Sequence, residues 1–185
     1  MINELLQDAK ERMEGAITAL EHDLDGFRTG RASPALVERL KVEVYGADME
    51  LNQMAVISVP ESQQLAIRPY DATTISAIER AILKSDLGIM PNNDGRIIRL
   101  NLPRLTEERR RDLTKLVGKR VEEGKVAARN VRRDVLGDLR EMKNESLISE
   151  DEFFRGEDLL QKLTDEHVNK IDEVGRRKMA EVMEV

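Results

Sequence analysis

Apolar positions recur with two different periods along this chain, and the switches between them divide it. Ile2, Leu6, Ala9, Met13, Ala16, Leu20, Leu24 and Phe27 return every third or fourth residue. That spacing marks one face of a helix, here over residues 1–27 and ended by Gly26 and Gly30. Ser33-Pro34 reads as an N-cap with proline at the first helical position, opening a short helix over 34–40. From Lys41 the period drops to two. Val42 and Val44, then Met49 and Leu51, alternate about Tyr45-Gly46-Ala47-Asp48, a hairpin pattern. Further strands are expected over 55–59, 65–68, 89–90 and 97–102. A helix is expected over 71–87, with Ile75, Ile78, Ala81 and Ile82 inward and Gly88 as its stop. Asn92-Asn93-Asp94-Gly95 is a turn.

After Pro103 the helical period returns. Thr106 is a candidate N-cap, and Glu107 and Glu108 place negative charge at the positive end of the helix. Leu113, Val117, Val121, Gly124, Ala128, Val131, Val135, Leu139 and Met142 make one stripe through a long helix over 106–148. Gly124 lies on that stripe and suggests a close helix approach; Gly118 and Gly137 have no evident purpose. Ser149-Glu150-Asp151-Glu152 is a capping box. It opens a last helix with Phe153, Leu160, Leu163, Ile171, Val174 and Val182 inward.

None of the three long helices can bury its stripe alone, and together they make a bundle. The fold class is therefore α+β: an elongated antiparallel three-helix bundle formed by residues 1–30 and 105–185, with a small α+β domain, 31–104, inserted. Two strands tether the insert, Thr29, Gly30 and Arg31 on one side and Leu102, Pro103, Arg104 and Leu105 on the other. A double tether is a hinge that bends about an axis and resists free tumbling.

Composition sharpens this picture. Charged residues make up 36 % and aromatics only 3 %, which suits long solvated helices better than a thick core. There is no Cys, hence no disulfide framework or thiolate site. The amphipathic N-terminus has neither the apolar run of a signal peptide nor the length of a membrane span, and a soluble cytoplasmic protein is expected. The net charge of −6 argues against general affinity for nucleic acid. Its distribution does not. Only residues 106–148 are net positive, with 12 basic and 9 acidic side chains. Arg111, Lys115, Lys125, Arg129, Arg132, Arg133 and Arg140 fall on a face roughly 120° round from the apolar stripe. Arg132 and Arg133, three and four positions beyond Arg129, share one solvent-facing patch with it, and Asp134 points away. Arginine suits phosphate because its planar fork bonds two oxygens at once. With few aromatics to stack on bases, the patch fits a folded RNA backbone read by shape and phosphate.

Little else carries chemistry. His22 and His167 have no partner at ligand spacing and read as solvated or seam-edge residues. There is no phosphate loop and no nucleophile elbow. Metal and cofactor are not expected, and neither is an intrinsic enzyme. Two readings from other classes stand beside RNA binding: a coiled-coil adaptor whose arginines only solvate it, and a hydrolase using carboxylates such as Glu61 or Asp71.

Three motifs carry a resemblance. RTGRASP at 28–34, LTEERRRDLTK at 105–115 and RNVRRD at 129–134 resemble the bacterial ribosome recycling factors, as do SDLG at 85–88 and SEDE at 149–152. The resemblance covers the whole chain in order. It implies a three-helix bundle with an inserted β/α/β domain, together similar in outline to transfer RNA. It also implies a non-catalytic, monomeric translation factor that splits the post-termination ribosome with elongation factor G and GTP, hydrolysis belonging to the elongation factor. The bundle would lie on large-subunit ribosomal RNA at the intersubunit face. Arg132 would be a main RNA contact, with Arg28, Arg31, Arg129 and Arg133 in the same set.

Overall fold

A computed structural model describes residues 1–27, 29 and 31–184. Along the chain run α1 (Ile2–Asp25), β1 (Lys41–Val44), β2 (Ala47–Glu50), the single turn α2 (Leu51–Met54), β3 (Ala55–Glu61), β4 (Gln64–Pro69), α3 (Ile75–Lys84), β5 (Pro91–Asn93), β6 (Ile98–Asn101), α4 (Glu107–Asn144) and α5 (Glu150–Met183). Short 3-10 turns lie at Pro34–Leu36 and Ala72–Thr74. The chain packs as two compact units. One comprises Met1–Leu24 and Thr114–Ala180, the other Asp25–Leu113 and Glu181–Val185.

The first unit is the helical bundle. Ala9, Met13, Leu20 and Leu24 of α1 are buried, as are Val117, Val121, Ala128, Val131, Val135 and Leu139 of α4. Each such fully buried Leu, Val or Met contributes roughly 1.5–3 kcal/mol relative to exposure. Contacts set the directions. On α4, Val121 meets Gly175 of α5 and Leu139 meets Gly156, so α4 and α5 are antiparallel. Leu20 of α1 reaches Gly124, and Arg12 bonds Asp134, so α1 is antiparallel to α4 as well. The tight approach is not at Gly124, where a Cβ would sit at an ordinary 3.5 Å from Ile171 Cγ2. It is at Gly175, where a Cβ would lie 2.5 Å from Val121 Cγ2.

The ends of the long helices follow from local chemistry. Thr106 Oγ1 accepts from Arg109 N at 3.1 Å, the N-cap bond expected of it. α4 stops at Asn144, before the expected 148, because Ser146 takes a left-handed φ of 60°. Leu147 N then donates to Met142 O and Ser146 N to Lys143 O, a Schellman closure with serine in the place usually held by glycine. The capping box opens α5: Ser149 N donates to Glu152 Oε2 at 2.7 Å, and Glu152 N to Ser149 Oγ at 3.2 Å.

The second unit holds a two-stranded sheet, β1-β2, and a four-stranded antiparallel sheet in the order β3-β4-β6-β5. The hairpin turn is two residues, not four. Tyr45 and Gly46 both have positive φ, and Val44 pairs with Ala47. Leu51 does not extend the strand. Its N–H bonds Leu40 O and starts α2, which puts Leu51 and Met54 into the core together. The helix over 34–40 shrinks to the 3-10 turn capped by Ser33. Asp71 caps a 3-10 turn before α3, so that helix is ten residues long. The expected strand at 89–90 moves to β5: Ile89 is buried outside the ladder, and Pro91, which lacks an N–H, begins an edge strand. Leu65 and Ile67 of β4 face Leu100 and Ile98 of β6 across the ladder, all fully buried with Ile78 and Ile82 of α3. Leu105, Leu113 and Val182 make a separate small cluster in this unit.

Candidate nucleic-acid interface

The basic face of α4 is shorter than its sequence suggests, because several of its cations are engaged within the chain. Lys125 Nζ lies 2.5 Å from Asp172 Oδ1 of α5, and its side chain is 19 % exposed. Arg111 pairs with Glu107 one turn away. Asp134 does more than point away: it bonds Arg12 Nη2 at 2.7 Å, tying α1 to α4 and holding the Arg12 guanidinium above its ordinary pKa.

Arg129, Arg132 and Arg133 differ among themselves. Arg133 is exposed. Arg129 is exposed too, and its Nη1 reaches Glu122 Oε1 at 3.3 Å. Exposed pairs of this kind contribute little, so phosphate can displace Glu122 at small cost. Arg132 departs from the sequence expectation of a solvent-facing side chain. It is half-buried, and Nη1 donates to Gln161 Oε1 of α5 at 2.5 Å. Its Nε is shielded from solvent with no hydrogen-bond partner. The cause is helical geometry. Residue 132 follows buried Val131 and sits one turn beyond buried Ala128, at the border of the apolar stripe. Gln161 is held in turn: its Nε2 donates to Asp165 Oδ1 at 2.8 Å.

The remaining residues of the expected set lie in the second unit or outside the described residues. Arg28 and Gly30 are outside them. Arg31 is exposed, and its Nη2 bonds Glu184 Oε1 at 2.6 Å. Thr29 is buried, with Oγ1 bonded to Arg31 O and N. Ala32 N donates to Ser62 O and Leu102 N to Gln63 O, so the β3–β4 turn holds both tether strands. Leu102 and Leu105 are buried, Pro103 and Arg104 exposed.

Two of the groups weighed for chemistry, His167 and Asp71, have structural duties. His22 is exposed. His167 is fully buried, and its Nδ1–H donates to Leu163 O at 2.7 Å, deeper in the seam than its sequence context suggests. Asp71 Oδ1 accepts from Thr73 N and Oγ1, and Oδ2 from Tyr45 Oη at 2.6 Å. Those bonds, Tyr45's first, hold its carboxyl below the usual range, as a helix cap requires and a general acid does not. Among the described residues no cluster of His, Asp or Glu is arranged to hold a metal ion, and no helix is long and apolar enough to cross a membrane.

Sequence reasoning missed Gln161, Asp165 and Gly175. Gln161 flanks Leu160 on the α5 stripe, but nothing in its surroundings names Arg132. Only the α4–α5 register joins positions 29 residues apart.

A family model described as Ribosome recycling factor matches residues 20–183. The ribosome-recycling factor of Roseiflexus castenholzii is 56 % identical over 185 residues, covering all of both chains. That of Chloroflexus aurantiacus is 54 % identical over the same span. A solution structure of a ribosome recycling factor superposes with a TM-score of 0.78 at 40 % identity, covering 100 % of this chain and 98 % of the other. A T. thermophilus ribosome recycling factor, from models with E. coli elongation factor G bound to the E. coli post-termination complex, gives 0.69 at 43 % identity, with both chains fully covered.

Proposed function

This chain belongs to the ribosome recycling factor family, and on that premise we propose that the Arg129–Arg132–Arg133 cluster is its anchor on ribosomal RNA. Ribosome recycling factors act with elongation factor G to dissociate the post-termination ribosome, and this chain does the same. It is a translation factor and not an enzyme.

The observation that carries the anchor is three arginines within one turn of α4, on a chain whose net charge is −6. A locally basic patch on an acidic protein holds a polyanion at one place while other faces repel it. The large-subunit RNA at the intersubunit face is the surface we assign to it, with Arg28 and Arg31 extending the contact set. The working domains are 1–30 with 105–185 and the insert 31–104. Motion between them is assigned to Thr29, Gly30, Arg31 and Leu102, Pro103, Arg104, Leu105, with the bonds from Ala32 and Leu102 to the β3–β4 turn marking the insert's side of the hinge. The protein works as a monomer in the cytoplasm.

Arg132→Ala tests the anchor. Loss of one charge-assisted bidentate contact should weaken ribosome binding by about 1.5–3 kcal/mol. The slope of log affinity against log salt should fall by roughly one unit. Breaking the Gln161 bond should cost folding about 0.5–1.5 kcal/mol. Arg132→Lys keeps the charge without the fork and should fall between the two. Native affinity and an unchanged salt slope in Arg132→Ala would remove Arg132 from the anchor.

A further inference from the structure

Resting on the reading of Arg132 as a phosphate contact, we propose that Gln161 is a positioning residue for it, with Asp165 fixing the direction of the Gln161 amide. Three observations meet here. Arg132 Nη1 donates to Gln161 Oε1, Gln161 Nε2 donates to Asp165 Oδ1, and Arg132 Nε has no partner.

The chemistry of the three groups leaves one arrangement. A guanidinium only donates, and a carboxylate only accepts, whereas a primary amide does one at each end. The Gln161 oxygen must therefore face Arg132 and its nitrogen Asp165. Turning the amide over would set NH2 against guanidinium and oxygen against carboxylate, losing both bonds. Asp165 thus acts on Arg132 from two bonds away.

The consequence is an oriented fork. Gln161 takes an N–H of Nη1, and Nε is shielded from solvent, so Nη2 is the nitrogen left to meet a phosphate oxygen. An arginine already held in one orientation also gives up less side-chain freedom on binding than a free one.

Full-length Gln161→Leu, Asp165→Ala, Arg132→Ala and the double variant Arg132→Ala/Gln161→Leu, bound to purified large ribosomal subunits across a salt series, test this. Gln161→Leu should weaken binding about 3- to 10-fold. Its salt slope should stay native, because no charge is removed. In the Arg132→Ala background the same change should do nothing further. Asp165→Ala gives the sharpest sign. Removing an anion beside a polyanion tightens binding if charge alone matters, whereas loss of orientation weakens it. Should Gln161→Leu fail to fold, Gln161→Met and Asp165→Ala carry the same test. Native binding by Gln161→Leu beside weak binding by Arg132→Ala overturns the positioning role and leaves the anchor standing, as do additive effects or tighter binding by Asp165→Ala. Native binding by Arg132→Ala overturns the anchor itself.

Discussion

The crossing of α4 and α5 at Gly175 yields a prediction in which two effects oppose each other. Alanine is the better helix former by about 0.8–1.0 kcal/mol, so Gly175→Ala should stabilise α5 if nothing stood in the way. Val121 does. A Cβ at position 175 would lie 2.5 Å from Val121 Cγ2, more than an ångström inside the usual carbon–carbon separation of about 3.5–4.0 Å. Val121 cannot simply turn aside, because a β-branched residue in a helix has one strongly preferred rotamer. Relief must come from moving the helices, and overpacking of this kind costs about 1–3 kcal/mol. With an overlap this large the upper half of that range applies. The net expectation is a loss of about 1–2 kcal/mol, or roughly 2–8 °C in melting temperature for a chain of this size. Chemical and thermal unfolding of Gly175→Ala, Val121→Ala and the double variant decide it. Without the valine methyls, Gly175→Ala should become stabilising by about 1 kcal/mol, a coupling of roughly 2–3 kcal/mol between the two sites. Additive effects, or a Gly175→Ala protein more stable than the parent, would refute the close approach.

Gly137 is the matching control: a Cβ there meets nothing within 4 Å, so Gly137→Ala should gain about 0.5–1 kcal/mol in the same unfolding assay. Ser146→Gly should also stabilise, by about 1 kcal/mol, since φ is 60° at a position that glycine fills without a side-chain penalty. Asp94 accepts from Ile97 N and Arg96 N, and then from Arg99, which lowers its carboxyl to about 2. Because the folded value lies below the ordinary 3.8, its support for the β5–β6 turn is complete above that pH and fades as pH falls toward 2. Carboxyl titration by NMR should show that midpoint, and a midpoint near 3.8 would mean the turn bonds are not made.

The helical stripes were legible because period and burial are one geometric fact: Leu113, Val117, Val121, Ala128, Val131, Val135 and Leu139 are read off the spacing and are all buried. Caps were legible because Thr106 and Ser149 act on residues three positions away. The inserted sheet was less so. Pattern places Leu51 in a strand, but the carbonyls of Leu40 and Glu38 draw the backbone into a helical turn there. Arg132 shows the same limit at the site. Position 132 falls at the border between stripe and basic face, and only the partner helix decides whether a border arginine faces water. The tight crossing escaped for a related reason. Gly124 and Gly175 are alike in sequence, and what separates them is the methyl of Val121.

The seating of α1, antiparallel to α4 and parallel to α5, has a consequence for how the protein is made. Partners of α1 in the bundle are encoded after the sheets: Leu20 waits for Gly124, Arg12 for Asp134, Ile2 for Gly156. At a synthesis rate of about 5–20 residues per second, the first helix emerges roughly 5–30 seconds before these partners exist. The sheets, whose strands and α3 are neighbours in sequence, have no such delay. The newborn chain should therefore carry finished sheets and an unpaired amphipathic helix until α4 and α5 have been made.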